Sequence, residues 1–276
     1  SEPLLFQSER TGAYKNAIHK LLDNGSTYRC FLTRDELDRA REKAQAKGGD
    51  FRVPKTYRDI PLQEQKRLLN AGQSFTVRLI IPPGKTLFKD HIYGDISVNN
   101  EEIDDFIIAR SDGTPTYNFT VVVDDYTMGI SHVIRGEDHI SNTPKQLLIY
   151  EALGYPAPEF AHLPMILGPD KKRLSKRHGA AGIQEFRDTG YSADALLNYL
   201  VMLGWNPGTE QELFTREEMV AHFDIRKVQK KGAVYDEKKL HWIAGQHLAR
   251  ASEDEILQAI RGEEPNWQRH AKDEYI

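Results

Sequence analysis

The chain has 276 residues, 37 of them Lys or Arg and 41 Asp or Glu, for a net charge of −4; at roughly 150 residues per domain this suggests about two domains. Apolar residues at 39% and charged residues at 28% are enough to bury a core, no apolar run approaches the roughly 18 residues that span a bilayer, and no signal peptide is expected. One cysteine, Cys30, excludes an internal disulfide and a multi-cysteine zinc site, so the expected setting is cytoplasmic and reducing, with no membrane partner.

Residues 9–23 predict a helix with Tyr14, Ile18, Leu21 and Leu22 on one face, Ser8 as its N-cap and Gly25 beyond its end. Thr33-Arg34-Asp35-Glu36 reads as a capping box for a helix running towards Lys47, stopped by Gly48-Gly49. Residues 74–82 are β-rich, 87–98 hold one or two short strands around Gly94, and 106–110 form another, closed by the turn Ser111-Asp112-Gly113. Residues 117–128 fit both a strand, through Val121-Val122-Val123, and a helix, through Tyr117, Val121, Asp124 and Met128; helix is expected. Residues 132–135 read as a short buried strand. Thr143-Pro144 reads as an N-cap with Pro at the first helical position, the helix ending at Gly154. Residues 160–167 read as one strand, followed by a polar, basic loop over 168–179. Beyond it the chain is helical: Ser192 caps 193–203, Thr215 to Glu218 and Ser252 to Glu255 form capping boxes, and Asp236 caps 237–247.

Three segments carry candidate chemistry. Lys171-Lys172-Arg173-Leu174-Ser175-Lys176-Arg177 places five cations in seven positions after a strand, where α/β sheets bind ligands. Such a cluster either neutralises a polyphosphate or is a solvated basic loop. The sharp entry at Gly168-Pro169-Asp170 and the hydroxyl of Ser175 beside Lys176 favour phosphate. Ile134-Arg135-Gly136-Glu137-Asp138-His139 ends a strand in charge. There Arg135 either clamps a carboxylate or makes an internal ion pair that holds a turn. The turn before Tyr117 delivers that residue to the start of the next element, either to bond a polar ligand or to join the core. His132 and His139 lack metal-ligand spacing, Cys30 has no evident base, and no phosphate loop of the G-x-x-x-x-G-K type is present. Arg226, Lys227, Lys230 and Lys231 would suit a nucleic-acid backbone or a solvated face.

Taken in order, Phe6-Gln7-Ser8-Glu9-Arg10, Ser111-Asp112-Gly113-Thr114-Pro115-Thr116-Tyr117, Val123-Asp124-Asp125, Val133 to His139 and Leu174-Ser175-Lys176-Arg177-His178-Gly179 resemble the bacterial-type glutamyl-tRNA synthetases, which are class I aminoacyl-tRNA synthetases. The likeness runs over nearly the whole chain. The loop from Arg173 to Arg177 resembles the second class I signature, Lys-Met-Ser-Lys-Ser, with Arg173 in place of its first lysine.

The resemblance implies an α/β fold. It would be a partial Rossmann-type catalytic domain with an α+β acceptor-arm insertion and a helical stem-contact region. It places the insertion, with the end of the first Rossmann half, in residues 1–115, and the second half in 116–168. The stem-contact region with the signature loop would be 169–252, and the start of the helical C-terminal part 253–276.

It also implies a reaction. Glutamate is activated by ATP with Mg2+ to glutamyl-adenylate, and the acyl group is passed to the 3′ end of tRNA(Glu). Lys176, with Ser175 and Arg173, would act on the phosphates. Arg135 would bind the substrate's side-chain carboxylate, Tyr117 would line the amino-acid pocket, and Asp138 and His139 would contact ATP. Some family members carry zinc in the insertion, but Leu32 and Tyr57 stand where its cysteines would be, so no metal is expected. The first class I signature, of the His-Ile-Gly-His type, and an anticodon-binding domain have no counterpart here. The expectation is therefore a monomeric central fragment that does not form the adenylate alone. Two rival readings are a non-catalytic tRNA-binding module and the paralogue that glutamylates a queuosine-modified tRNA. The intact Leu174-Ser175-Lys176-Arg177 run argues against both, and the segment around Arg135 with the Lys176-Arg177-His178-Gly179 run argues against a glutaminyl-tRNA synthetase.

Overall fold

A computed structural model describes residues 5–46, 48, 52–174, 182–254 and 256–257. In chain order its elements are α1 (Thr11–Asp23), β1 (Thr27–Cys30), α2 (Arg34–Ala46), α3 (Leu62–Asn70), β2 (Thr76–Leu79), β3 (Lys85–Asp90), β4 (Gly94–Asn99), β5 (Ile107–Ala109), α4 (Tyr117–Thr127), β6 (His132–Gly136), α5 (Thr143–Leu153), β7 (Glu159–Leu163), β8 (Ile166–Leu167), α6 (Ile183–Asp188), α7 (Ala193–Met202), α8 (Arg216–His222), β9 (Ala233–Val234) and α9 (Glu237–Arg250). β2 lies between β1 and β5, antiparallel to both. β4, β3, β7 and β6 form a second sheet in that order, with β3 parallel to β7. β8 and β9 pair in parallel. No helix among the described residues is long and apolar enough to cross a membrane.

The chain divides into two compact units. The first is Ser1–Asp90, Asp95–Val133 and His139–Phe160; the second is His91–Gly94, Ile134–Asp138 and Ala161–Ile276. In the first unit, Tyr14, Ala17, Ile18 and Leu21 make one stripe of α1 at helical spacing. They join Phe119, Val122 and Val123 of α4, Leu148, Ile149 and Leu153 of α5, and Val77, Leu79 and Ile108 of the antiparallel sheet in one buried core. Asp124, on the same helix as Val122 and Val123, is only 5% exposed. It is satisfied by Arg10 Nε at 2.7 Å, Gln7 Nε2 at 2.9 Å and the Tyr14 hydroxyl at 2.9 Å. Burial, then the bond to Asp124, pushes Tyr14 up to about 12. Two of the motif segments named above, around Arg10 and Asp124, therefore meet in a buried ion pair. Elsewhere in this unit Cys30, Tyr28 and Val53 form an apolar cluster with Leu32 and Tyr57 packed against it.

In the second unit α7 and α9 pack through Leu196, Tyr199, Leu240 and Ile243. A further cluster holds Trp205, Phe214, Met219 and Val228 with Ile92 and Ala161. The fully buried Asn198 donates to Glu212 O at 3.0 Å and accepts from Phe214 N at 3.0 Å and from His247 Nε2 at 2.9 Å, so it ties α7 to α9.

Several expectations need correction. Ser8 caps no helix, because residues 7–9 close a 3-10 turn and α1 starts at Thr11 behind Arg10. Thr143 lies inside α5, whose N-cap is Asn142, because a 3-10 turn over Glu137–Asn142 runs straight into it. The strand over 132–136 is not buried: β6 is the outer member of its sheet's strand order, and its residues are half-buried or exposed. The single strand expected over 160–167 is two, β7 and β8, with Pro164 between them. The ambiguous segment after Thr116 is a helix, α4. The capping boxes at Thr33 and Thr215 and the caps at Ser192 and Asp236 form as expected. The box at Ser252 depends on Glu255, outside the described residues.

Candidate active-site segments

In the first unit the turn after β5 is built by short-range bonds. Asp112 accepts from the Thr114 amide and hydroxyl at 2.8 and 2.7 Å, which holds its carboxyl below the usual range. Gly113 takes φ +83°, a left-handed conformation that a side chain would strain. Thr116 then binds back to β5, its amide to Ile108 O and its hydroxyl to Ile107 O, both at 2.9 Å. Tyr117 is thereby set as the first residue of α4, 51% exposed rather than taken into the core. Its ring centroid lies 6.0 Å from that of His139, tilted by 46°. Asn142 Nδ2 reaches His139 Nδ1 at 3.2 Å. Tyr117 and His139, expected at the amino-acid and ATP sites, are thus neighbours.

In the second unit the end of β6, the strand β7 and the residues that follow it hold further candidate side chains. Arg135 Nε donates to His162 Nε2 at 3.1 Å, and His162 has no exposed surface. An accepting Nε2 puts the His162 proton on Nδ1, so a neutral imidazole orients the guanidinium. This contact involves a partner the sequence reading did not name, since it considered only carboxylates for Arg135. Glu137 accepts from Met165 N at 2.9 Å and from the Tyr93 hydroxyl. Asp138 pairs with Arg173 Nη1 at 3.2 Å, the side chains being 34% and 69% exposed. Gly136 makes room for this: a Cβ there would lie 2.6 Å from Asp138 Oδ1.

Residues 166–174 form a tight hairpin. Leu167 bridges Arg173, Gly168 N reaches Lys172 O at 2.7 Å, and Leu174 N reaches Ile166 O at 2.8 Å. Asp170 accepts from Lys172 N at 3.0 Å, and Lys171 adopts φ +59° at the turn. The basic loop therefore leaves the fold on a defined ribbon, with Arg173 held at its second strand. Ser175 and Lys176 lie outside the described residues. Of the four cations expected to meet tRNA, Arg226 pairs with Asp224 through two bonds of 2.9 Å and Lys230 Nζ donates to Tyr93 O at 3.1 Å. Lys227 and Lys231 are exposed.

The chain matches known proteins over most of its length. Residues 2–242 match the family described as tRNA synthetases class I (E and Q), catalytic domain. The chain belongs to this family. It is 47% identical over 257 residues to glutamate–tRNA ligase 1 of Caldanaerobacter subterraneus subsp. tengcongensis, covering 93% of this chain and 53% of that protein. With the glutamate–tRNA ligase of Aquifex aeolicus it shares 47% over 253 residues, 91% of this chain and 54% of the relative. The crystal structure of a glutamate tRNA ligase from Elizabethkingia meningosepticum CCUG26117, in complex with its amino acid, superposes with a TM-score of 0.84 at 34% identity. That match covers 95% of this chain and 58% of the other. The chain spans about half the length of the curated relatives it matches.

His162, Glu137 and Tyr93 gave little signal in the sequence. His162 sits in an apolar run, and Glu137 stood in a motif without an evident task. Their partners are distant along the chain, so only the fold reveals them.

Proposed function

We propose that the chain carries part of the active site of a glutamate–tRNA ligase. The observation that supports glutamate within a family covering both glutamyl and glutaminyl enzymes is the 47% identity to proteins named glutamate–tRNA ligases. In this reading a carboxylate oxygen of glutamate attacks the α-phosphorus of ATP, bound with Mg2+, and pyrophosphate leaves. A ribose hydroxyl at the tRNA 3′ end then attacks the acyl carbon, and AMP leaves. Arg135, oriented by His162, takes the substrate's side-chain carboxylate, and Tyr117 borders the amino acid. Lys176, Ser175 and Arg173 counter the charge that builds on the phosphates. Asp138 and His139 contact ATP, and Lys227 and Lys231, with Arg226 and Lys230, face tRNA. We assign the acceptor-arm insertion, with the end of the first Rossmann half, to residues 1–115, the second Rossmann half to 116–168 and the stem-contact region to 169–252.

The test is glutamate-dependent ATP–pyrophosphate exchange by the protein at the length its cell makes, with Arg135→Ala beside it. Losing a charge-assisted, two-pronged contact costs about 3 kcal/mol, roughly a hundredfold in kcat/KM for glutamate. Exchange driven equally well by glutamine, or unaffected in R135A, would remove Arg135 from the glutamate site.

A further inference from the structure

We propose that Glu137 and Tyr93 are positioning residues that fix the base of the hairpin over 166–174. The hairpin itself is weakly held. Its first strand, β8, is two residues long and pairs in parallel with β9, which is equally short, and Ile166 and Val234 are 36% and 45% exposed. A two-stranded ribbon of that size has little stability of its own. Its geometry must therefore come from where it is anchored.

That anchor is specific. One carboxylate oxygen of Glu137 accepts from Met165 N at 2.9 Å, one residue before β8. The other accepts from the Tyr93 hydroxyl. Tyr93 in turn faces Lys230, its hydroxyl 3.2 Å from Lys230 O and its own carbonyl oxygen accepting from Lys230 Nζ at 3.1 Å. Lys230 lies three residues before β9. One carboxylate and one phenol thus bind the approaches to β8 and to β9, the strand against which β8 pairs. Gly232 closes the joint: a Cβ there would sit 2.6 Å from Met165 O and 3.0 Å from Leu167 Cδ1. Tyr235 N then reaches Leu167 O at 2.8 Å, which continues the pairing. Every contact lies inside the second unit. Glu137 is the neighbour of Asp138, the partner of Arg173, and Arg173 pairs with Leu167, so the same short segment grips both strands of the hairpin close to its base.

The link to nucleotide binding rests on the proposed function, whereas the positioning role does not. The experiment is therefore native-state amide exchange on the protein at the length its cell makes, followed by equilibrium binding of MgATP. Glu137→Gln keeps the volume but turns one acceptor into a donor, and Tyr93→Phe removes only the hydroxyl. Glu212→Gln, which loses a carboxylate paired with Lys239 elsewhere in the unit, is the control. The expected result is at least tenfold faster exchange at Gly168, Leu174 and Tyr235 in E137Q and about threefold in Y93F, with α7 and α9 unchanged and E212Q like the parent. Unaltered hairpin exchange in both variants overturns the proposal. If E137Q loses protection throughout the unit, Y93F decides by the same criterion. MgATP affinity lowered several-fold in E137Q supports the role at the site. A parent protein of cellular length that binds no MgATP counts against the nucleotide assignment alone, and the exchange result still decides the positioning.

Discussion

Replacing Asp124 by Asn tests whether the ion pair joining the Arg10 and Asp124 segments supports the first unit. The carboxylate is buried and receives donors from Gln7, Arg10 and Tyr14. An amide is isosteric but offers one oxygen where two accept now, and its nitrogen would point a hydrogen at another donor. Arg10 Nη2 is already buried without a partner, so this guanidinium has no spare acceptor to turn to. One lost hydrogen bond between neutral groups would cost about 1 kcal/mol. Removing one member of a buried pair costs about 3–5 kcal/mol, because the other charge stays behind. The Arg10 side chain is 17% exposed, so some solvent screening remains. The lower end, about 3 kcal/mol, is expected. Trp205 and Trp242 lie in the second unit and Trp267 outside the described residues, so tryptophan fluorescence does not report this unit. The assay is amide exchange at α1 and α4 in D124N, R10Q and the double variant. Coupling of about 2 kcal/mol between the two sites is expected. A loss below about 1 kcal/mol in D124N, or strictly additive changes, would show that the Arg10–Asp124 pair does not support the first unit.

Three further outcomes follow from the same contacts. Tyr14 is raised in the folded state, to about 12. Its stabilising effect is therefore complete below its ordinary value near 10 and is lost as pH rises through the folded value. Y14F should flatten the stability profile of the first unit between those two values, and an unchanged slope would remove Tyr14 as the source. Gly232→Ala must move β9 away from Met165 O; about 1–3 kcal/mol of destabilisation is expected, read by urea unfolding followed at Trp205, and a neutral effect would contradict the close approach. Gly136→Ala displaces the Asp138 carboxylate from Arg173. Because that pair is exposed, stability should change by less than about 1 kcal/mol, while the loop's response to MgATP changes. A large stability loss would show that the pair carries more than its exposure suggests.

What could be read from the sequence was what is decided locally. The capping boxes at Thr33 and Thr215 formed because both partners lie within one turn. Tyr117 was correctly placed at the head of a helix, since its turn is built from neighbours. β1 was not seen: four residues including Arg29 carry too little alternation to mark a strand, and its stability comes from β2 far along the chain. α3 was missed although its leucines, Leu62, Leu68 and Leu69, are segregated from its polar residues: nine residues give little more than two turns of pattern, and none of them is buried. β6 was misjudged as buried because Val133-Ile134 looks like a core run, whereas its place at the side of the sheet is a property of the fold. At the site, the charged segments were visible as residue types. The contact of Arg135 with His162 and the grip of Glu137 on Met165 each span 27 or 28 residues, beyond the reach of any local pattern.

The most direct measurement is aminoacylation of total tRNA by the protein at the length its cell makes, offered labelled glutamate and labelled glutamine separately, with Lys176→Ala alongside. Glutamate should be attached to tRNA in an ATP-dependent reaction, glutamine should not be used, and K176A should lower the rate by about a hundredfold or more. Tight binding of tRNA without attachment of either amino acid, or charging indifferent to Lys176, would contradict the proposed function.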